Sequence, residues 1–174
     1  MELGQFQVYT GNGKGKTTAA LGLALRACGA GLRVYLCQFM KYSESSEIAA
    51  LNRMTGVTVE HFGSVRGLLL GRSVERSDID CAAEAYHRVR RALCSGEYDV
   101  VIADEINCAM MFGLLSESDL LALADCRPAG TELVFTGRGA TEAILERADL
   151  VTEMKMIKHY YADRQLPART GIEL

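Results

Sequence analysis

Between an alternating stretch, Gln5 to Thr10, and a helix-forming stretch from about Lys16 to Gly29 lies the run Thr10-Gly11-Asn12-Gly13-Lys14-Gly15-Lys16-Thr17-Thr18. No other feature constrains the fold as strongly. Glycines let the backbone curl so that successive N–H groups point inward, and the helix N-terminus adds a partial positive charge, so strand, loop and helix together make an anion cradle. Lys16 supplies a mobile cation, and the Thr17 hydroxyl is a ligand for Mg²⁺. The first glycine of the usual GxxxxGK[ST] spacing falls on Thr10, and Gly11 and Gly13 restore flexibility beside it. A flexible strand-to-helix turn is the bland alternative. It loses ground to the full context of a preceding strand, a following helix and a later acidic strand end.

The rest of the chain repeats the strand–loop–helix unit. Leu32 to Phe39 is an apolar run without helical period, which predicts a buried strand. Ser43 to Met54 reads as a helix and Gly56 to Phe62 as a β-branched strand. Gly63 to Ser77 carries three glycines, Arg66, Arg72, Arg76 and the run Leu68-Leu69-Leu70. A segment of that length without a structural period is usually functional. Asp78 is expected to cap a long helix to about Ser95. A strand follows from Tyr98 to Asp104, a helix from Ser116 to Arg127-Pro128, a strand from Thr131 to Thr136, a helix from Thr141 to Arg147 and a last strand from Leu150 to Met154. Strands alternating with helices predict an α/β, P-loop NTPase-type fold: a mostly parallel sheet of about six strands, helices on both faces, and the ligand at the carboxyl ends of the strands. At 174 residues, the chain is expected to form a single domain spanning residues 1–174.

Composition narrows the partners. A formal net charge of −3 argues against a general attraction to nucleic acid. No stretch approaches the ~20 apolar residues that span a bilayer, and Met1-Glu2-Leu3-Gly4 lacks the basic start of a signal peptide, so no membrane partner is expected. The six cysteines form no CxxC pair and sit in apolar or helical contexts, which predicts free thiols in a reducing cytoplasm.

Val100-Val101-Ile102-Ala103-Asp104-Glu105 ends an apolar strand on two carboxylates. Asp104 and Glu105 are candidates to hold Mg²⁺ directly or through water. A helix N-cap is the plainer reading, although it does not require paired acids. These features together predict a nucleoside triphosphate–magnesium site and leave the chemistry open.

The whole string resembles the P-loop ATP:corrinoid adenosyltransferases of cobalamin biosynthesis and salvage. The likeness runs through Thr10 to Ala20, Arg26-Ala27, Gln38-Phe39-Met40-Lys41, Phe62-Gly63, Asp99 to Asn107 and Thr136-Gly137-Arg138. It continues through Ala148 to Met154, Ile157-Lys158-His159 and Gly171-Ile172-Glu173. It implies that a cobalt(I) corrinoid attacks the 5′ carbon of ATP and that triphosphate leaves. It also implies a nucleotide reversed along the loop, so that the loop steadies the leaving group. Lys14, Lys16 and the loop N–H groups carry that charge in this reading. Mg²⁺ sits on Thr17 and Asp104 or Glu105, with Lys16, Thr17 and Glu105 as the catalytic candidates. Asn12, Arg26 and Arg138 join Gly11, Gly13, Gly15 and Thr18 as candidate nucleotide contacts, a buried salt bridge being the alternative for Arg26.

The same resemblance implies an apolar lid that displaces the lower axial ligand of the cobalt(II) corrinoid and eases its reduction. Phe62, Leu68, Leu69 and Leu70 are the candidates, with a core-facing turn as the alternative for the three leucines. Many relatives carry a Phe-x-Trp pair here, whereas this chain has no tryptophan. His61, His87 and His159 are read as ordinary residues, because a histidine on cobalt would defeat the four-coordinate logic. A flavoprotein reductant and a homodimer are further expectations from the family. Two other readings remain: a P-loop kinase or NTPase with Arg138 as an arginine finger in cis, and a nucleotide-sensing module without catalysis.

Overall fold

The computed structural model describes residues 3–42, 45–65, 71 and 73–172. The described residues form a single sheet of six parallel strands: β1 (Phe6–Thr10), β2 (Val34–Phe39), β3 (Val57–Phe62), β4 (Val100–Asp104), β5 (Glu132–Thr136) and β6 (Leu150–Glu153), in the order β3-β2-β4-β5-β1-β6. Every expected strand is present, and the parallel α/β architecture with helices on both faces is the one predicted.

Alternation along each strand sorts side chains between two cores. Val34 and Leu36 of β2, Val100 and Ile102 of β4, and Val134 of β5 point to one face. There they meet α1 (Lys16–Gly29) and α2 (Ser46–Leu51). The face of α1 against the sheet is Ala20, Ala24 and Ala27, spaced by one helical turn and small enough for close approach. Tyr35, Cys37, Phe39, Val101, Ala103, Leu133 and Phe135 point to the opposite face. That face is covered by α3 (Arg76–Ser95), α4 (Ile106–Met111), α5 (Glu117–Asp125) and α6 (Glu142–Arg147). A short α7 (Tyr160–Arg164) follows in the tail.

Three local expectations need correction. α3 is capped by Glu75, not Asp78: Asp78 is the third helical residue and completes a reciprocal capping box with Glu75. Its buried carboxylate also accepts from Ser64 Oγ at 2.6 Å, so one side chain ties both ends of the Gly63–Ser77 segment. α4 was not foreseen, and α2 is shorter than the Ser43–Met54 reading. Of the lid candidates, Leu68, Leu69 and Leu70 lie outside the described residues.

Candidate nucleotide and metal site

The loop from Gly11 to Gly15 leaves β1 and packs on the exit of β6. Gly13 N–H donates to the Met154 carbonyl at 2.6 Å, and Met154 N–H donates to the Thr10 carbonyl at 2.8 Å. A Cβ built on Gly13 would stand 2.6 Å from that same oxygen and 2.9 Å from the Lys155 carbonyl carbon. The glycine here is therefore required by contact with a distant strand, in addition to any phosphate. α1 opens on Gly15, whose φ is 114°, with no side chain capping it and no acid in its first turn. Helices α3 and α5 both begin with a capping box. α1, like α4, has neither a side-chain cap nor an acid in its first turn, which leaves amide donors for an anion.

Lys16 is 6% exposed, and its Nζ donates to the Gly11 carbonyl at 2.8 Å and the Gly13 carbonyl at 2.6 Å. Burial lowers its pKa and the charge of Arg138 adds to that, against the opposing pull of Glu105 and Asp104. The ammonium thus folds back on its own loop, within electrostatic reach of all three candidate charged residues.

Asp104 ends β4 and is 2% exposed. It accepts from Thr136 Oγ1 at 2.6 Å and from Gln38 Nε2 at 3.0 Å, and it is hydrogen-bonded with Thr17. Its carboxyl is pushed up to about 6, first by burial and then by the Glu105 charge, with the three hydrogen bonds pulling it back. β5 lies between β1 and β4, so the bridge from Asp104 to the phosphate loop runs beside Thr136. Glu105 follows with φ 63°, a left-handed conformation costly for a residue with a Cβ, and its N–H donates to Thr136 Oγ1 at 2.8 Å. The Thr17 hydroxyl and the two carboxylates form an open oxygen set for a hard cation whose remaining ligands come from water and phosphate. Asp104 is a buried carboxyl whose pKa is raised by burial and by the Glu105 charge, and beside it Gln38 Oε1 has no partner among the described residues, which suits a cation placed there.

Asn12, Lys14 and Thr18 are exposed around the loop, and Arg138 is exposed at the end of β5. Arg26 is not brought to this site. It lies on the exposed face in the last turn of α1, about 15 Å along the helix from Lys16 at 1.5 Å per residue. Its exposure also excludes the buried salt bridge, and a basic last turn complements the helix dipole. Phe62 ends β3 half-buried, packed on the core, and lines a small crevice with Met40, Cys81, Ala82 and Leu114. That crevice opens at the same carboxyl edge of the sheet.

Sequence reasoning gave no role to Gln38, Thr136, Cys108 or Met154. Gln38 left a signal, being the single amide in a strand of otherwise apolar residues, VYLCQF. Met154 left none, since its contact with Gly13 depends on the strand order.

Comparison with known proteins follows the same lines. The chain is 34% identical to the corrinoid adenosyltransferase of Pseudomonas aeruginosa over 99% of its own length and 84% of that protein. It is 33% identical to the corrinoid adenosyltransferase of Escherichia coli K12 over 99% and 86%. An uncharacterized Nostoc protein is 37% identical over 98% of this chain, which spans about half (48%) of that relative's length. Among solved structures, the KaiC-like protein PH0186 of Pyrococcus horikoshii shares the fold at a TM-score of 0.59 and 15% identity, over 90% of this chain and 75% of that one. The pattern described as ATP:corrinoid adenosyltransferase BtuR/CobO/CobP matches residues 2–174. With an end-to-end match of that kind on a phosphate loop facing a carboxylate pair, the chain belongs to the ATP:corrinoid adenosyltransferase family.

Proposed function

We propose that this chain transfers the 5′-deoxyadenosyl group of ATP to the cobalt(I) of a reduced corrinoid and releases triphosphate. The observation that carries the reading is the uncapped start of α1 with Lys16 buried beside Asp104 and Glu105, in a chain matched by the family over its whole described length. The electron pair of cobalt(I) forms the bond to C5′, the C5′–O5′ bond breaks, and its pair leaves on the triphosphate. Charge therefore grows on the phosphates, where preorganised donors matter most. Lys16 leaves the Gly11 and Gly13 carbonyls to meet that charge, with Lys14 and the α1 amides beside it. Thr17, Asp104 and Glu105 would hold Mg²⁺, which supplies further neutralisation of the triphosphate. Arg138 adds a positive group at the rim.

Phe62 is the assigned contact to the corrin among the described residues, with Leu68, Leu69 and Leu70 proposed from the sequence alone. A flavoprotein as electron donor, a homodimer and a cytoplasmic setting complete the proposal, with neither nucleic acid nor membrane as partner. No described helix is long and apolar enough to cross a membrane. The deciding experiment is product identification from ATP with chemically reduced corrinoid. Triphosphate and a cobalt–carbon bond are expected. ADP with phosphate would instead establish a kinase or NTPase, and no product a binding module.

A further inference from the structure

α4 begins immediately after Glu105, and no side chain caps it. Cys108 lies three residues beyond Glu105, one turn along, where a helical side chain leans back over the N-terminal turn. The Glu105 side chain stands close enough to the thiol to raise its pKa by charge and by hydrogen bonding. The same sulfur accepts the Arg138 N–H at 3.1 Å. The approach is enforced from the other side by Gly137, whose φ is 123° and whose added Cβ would lie 2.8 Å from Cys108 N and 3.2 Å from Cys108 Sγ.

One buried sulfur therefore joins the ends of β4 and β5, and each end carries a charged candidate of the site. Both ends have a residue with positive φ, Glu105 at 63° and Gly137 at 123°. We propose that Cys108 is a positioning residue for the transfer reaction: it orients the Glu105 carboxylate and fixes the start of the Arg138 segment, without touching substrate. The proposal rests on the adenosyl-transfer reading.

The test compares Cys108→Ala, Cys108→Val and Cys108→Ser with the parent protein, using ATP and chemically prepared cob(I)alamin across a Mg²⁺ titration, with melting curves alongside. Alanine and valine bracket the thiol in size and can neither donate nor accept, whereas serine keeps a donor and an acceptor. For the two apolar variants we expect kcat lowered about tenfold and the Mg²⁺ midpoint raised several-fold, the scale of one lost orienting hydrogen bond to a charged group. Their melting temperatures should stay within about 4 °C, the shift that ~1 kcal/mol makes in a domain of this size. Serine should restore most of both losses. Wild-type kcat and Mg²⁺ midpoint in the apolar variants would overturn the proposal. So would a serine variant as impaired as alanine, activity losses that merely follow the melting temperature, or failure of both apolar variants to fold. A parent protein that makes no triphosphate defeats the reading beneath it instead, and the two failures are distinct.

Discussion

Replacing Asp104 by asparagine should make the ligand-free protein more stable while impairing it as an enzyme. The carboxyl is 2% exposed and pushed from 3.8 to about 6. At ~1.4 kcal/mol per unit, the ionised form costs the fold about 3 kcal/mol at pH 7. The folded pKa lies above the unfolded one, so the folded state binds the proton more tightly. The contribution of this one group to stability is therefore greatest below pH 3.8 and is lost as pH rises through about 6. Asparagine has no charge to bury. Its carbonyl can accept from Thr136 Oγ1, and its amide would face Gln38, whose Oε1 has no partner among the described residues. Turning over the Gln38 amide satisfies both groups. Discounting for that rearrangement, we expect Asp104→Asn to gain about 2 kcal/mol at pH 7 in chelator, or about 4–8 °C in melting temperature. The gain should shrink toward pH 4. With Mg²⁺ and ATP the order should reverse, because the ligand stabilises whichever protein binds it more tightly. Urea and thermal melts from pH 4 to 8, with chelator or with MgATP, provide the measurement. An Asp104→Asn protein less stable than wild type at pH 7 in chelator, or equally stabilised at both pH extremes, refutes the reasoning.

Lys16→Ala should lower adenosyl transfer by about two to three orders of magnitude, the scale of losing one preorganised donor to leaving-group charge; steady-state assays with a far smaller loss would remove Lys16 from the mechanism. Gly13→Ala should lose about 2–4 kcal/mol, from overpacking against the Met154 carbonyl and weakening of the Gly13 N–H bond. Gly22→Ala, mid-helix with nothing within 4 Å of the new Cβ, should gain about 0.5–1 kcal/mol in the same urea titration. Phe62→Ala should slow the reaction started from cobalt(II) far more than one started from cobalt(I), with ATP binding nearly unchanged; equal effects on the two starting states would place the lid elsewhere.

All six strands were legible because each is a short apolar or β-branched run, and the loop after the first because glycine-lysine-threonine opens a helix there. α4 was not, because Ile106–Met111 spans fewer than two turns and an amphipathic period cannot show in six residues. Asp78 is of an ordinary N-cap residue type, and a reciprocal pair of acids overrides that preference here. Arg26 lay within a stretch that resembles the family, yet its place at the far end of α1 follows from helical rise alone. Thr136 and Met154 could not be assigned without knowing that β5 and β6 flank β1. Parallel strands joined by helices leave that order open.

The strand order also sets a sequence in time. β1 pairs with Glu132–Thr136 and Leu150–Glu153, far along the chain. β2 pairs with β3 and β4, all made by Asp104, and β4 takes β5 on its other edge. During synthesis the phosphate loop must therefore wait, unpaired, while most of the chain is made. Gly13 meets its acceptor only when Met154 arrives. The phosphate loop is thereby tied to one of the most distant pairings in the sheet, that of β1 with β6.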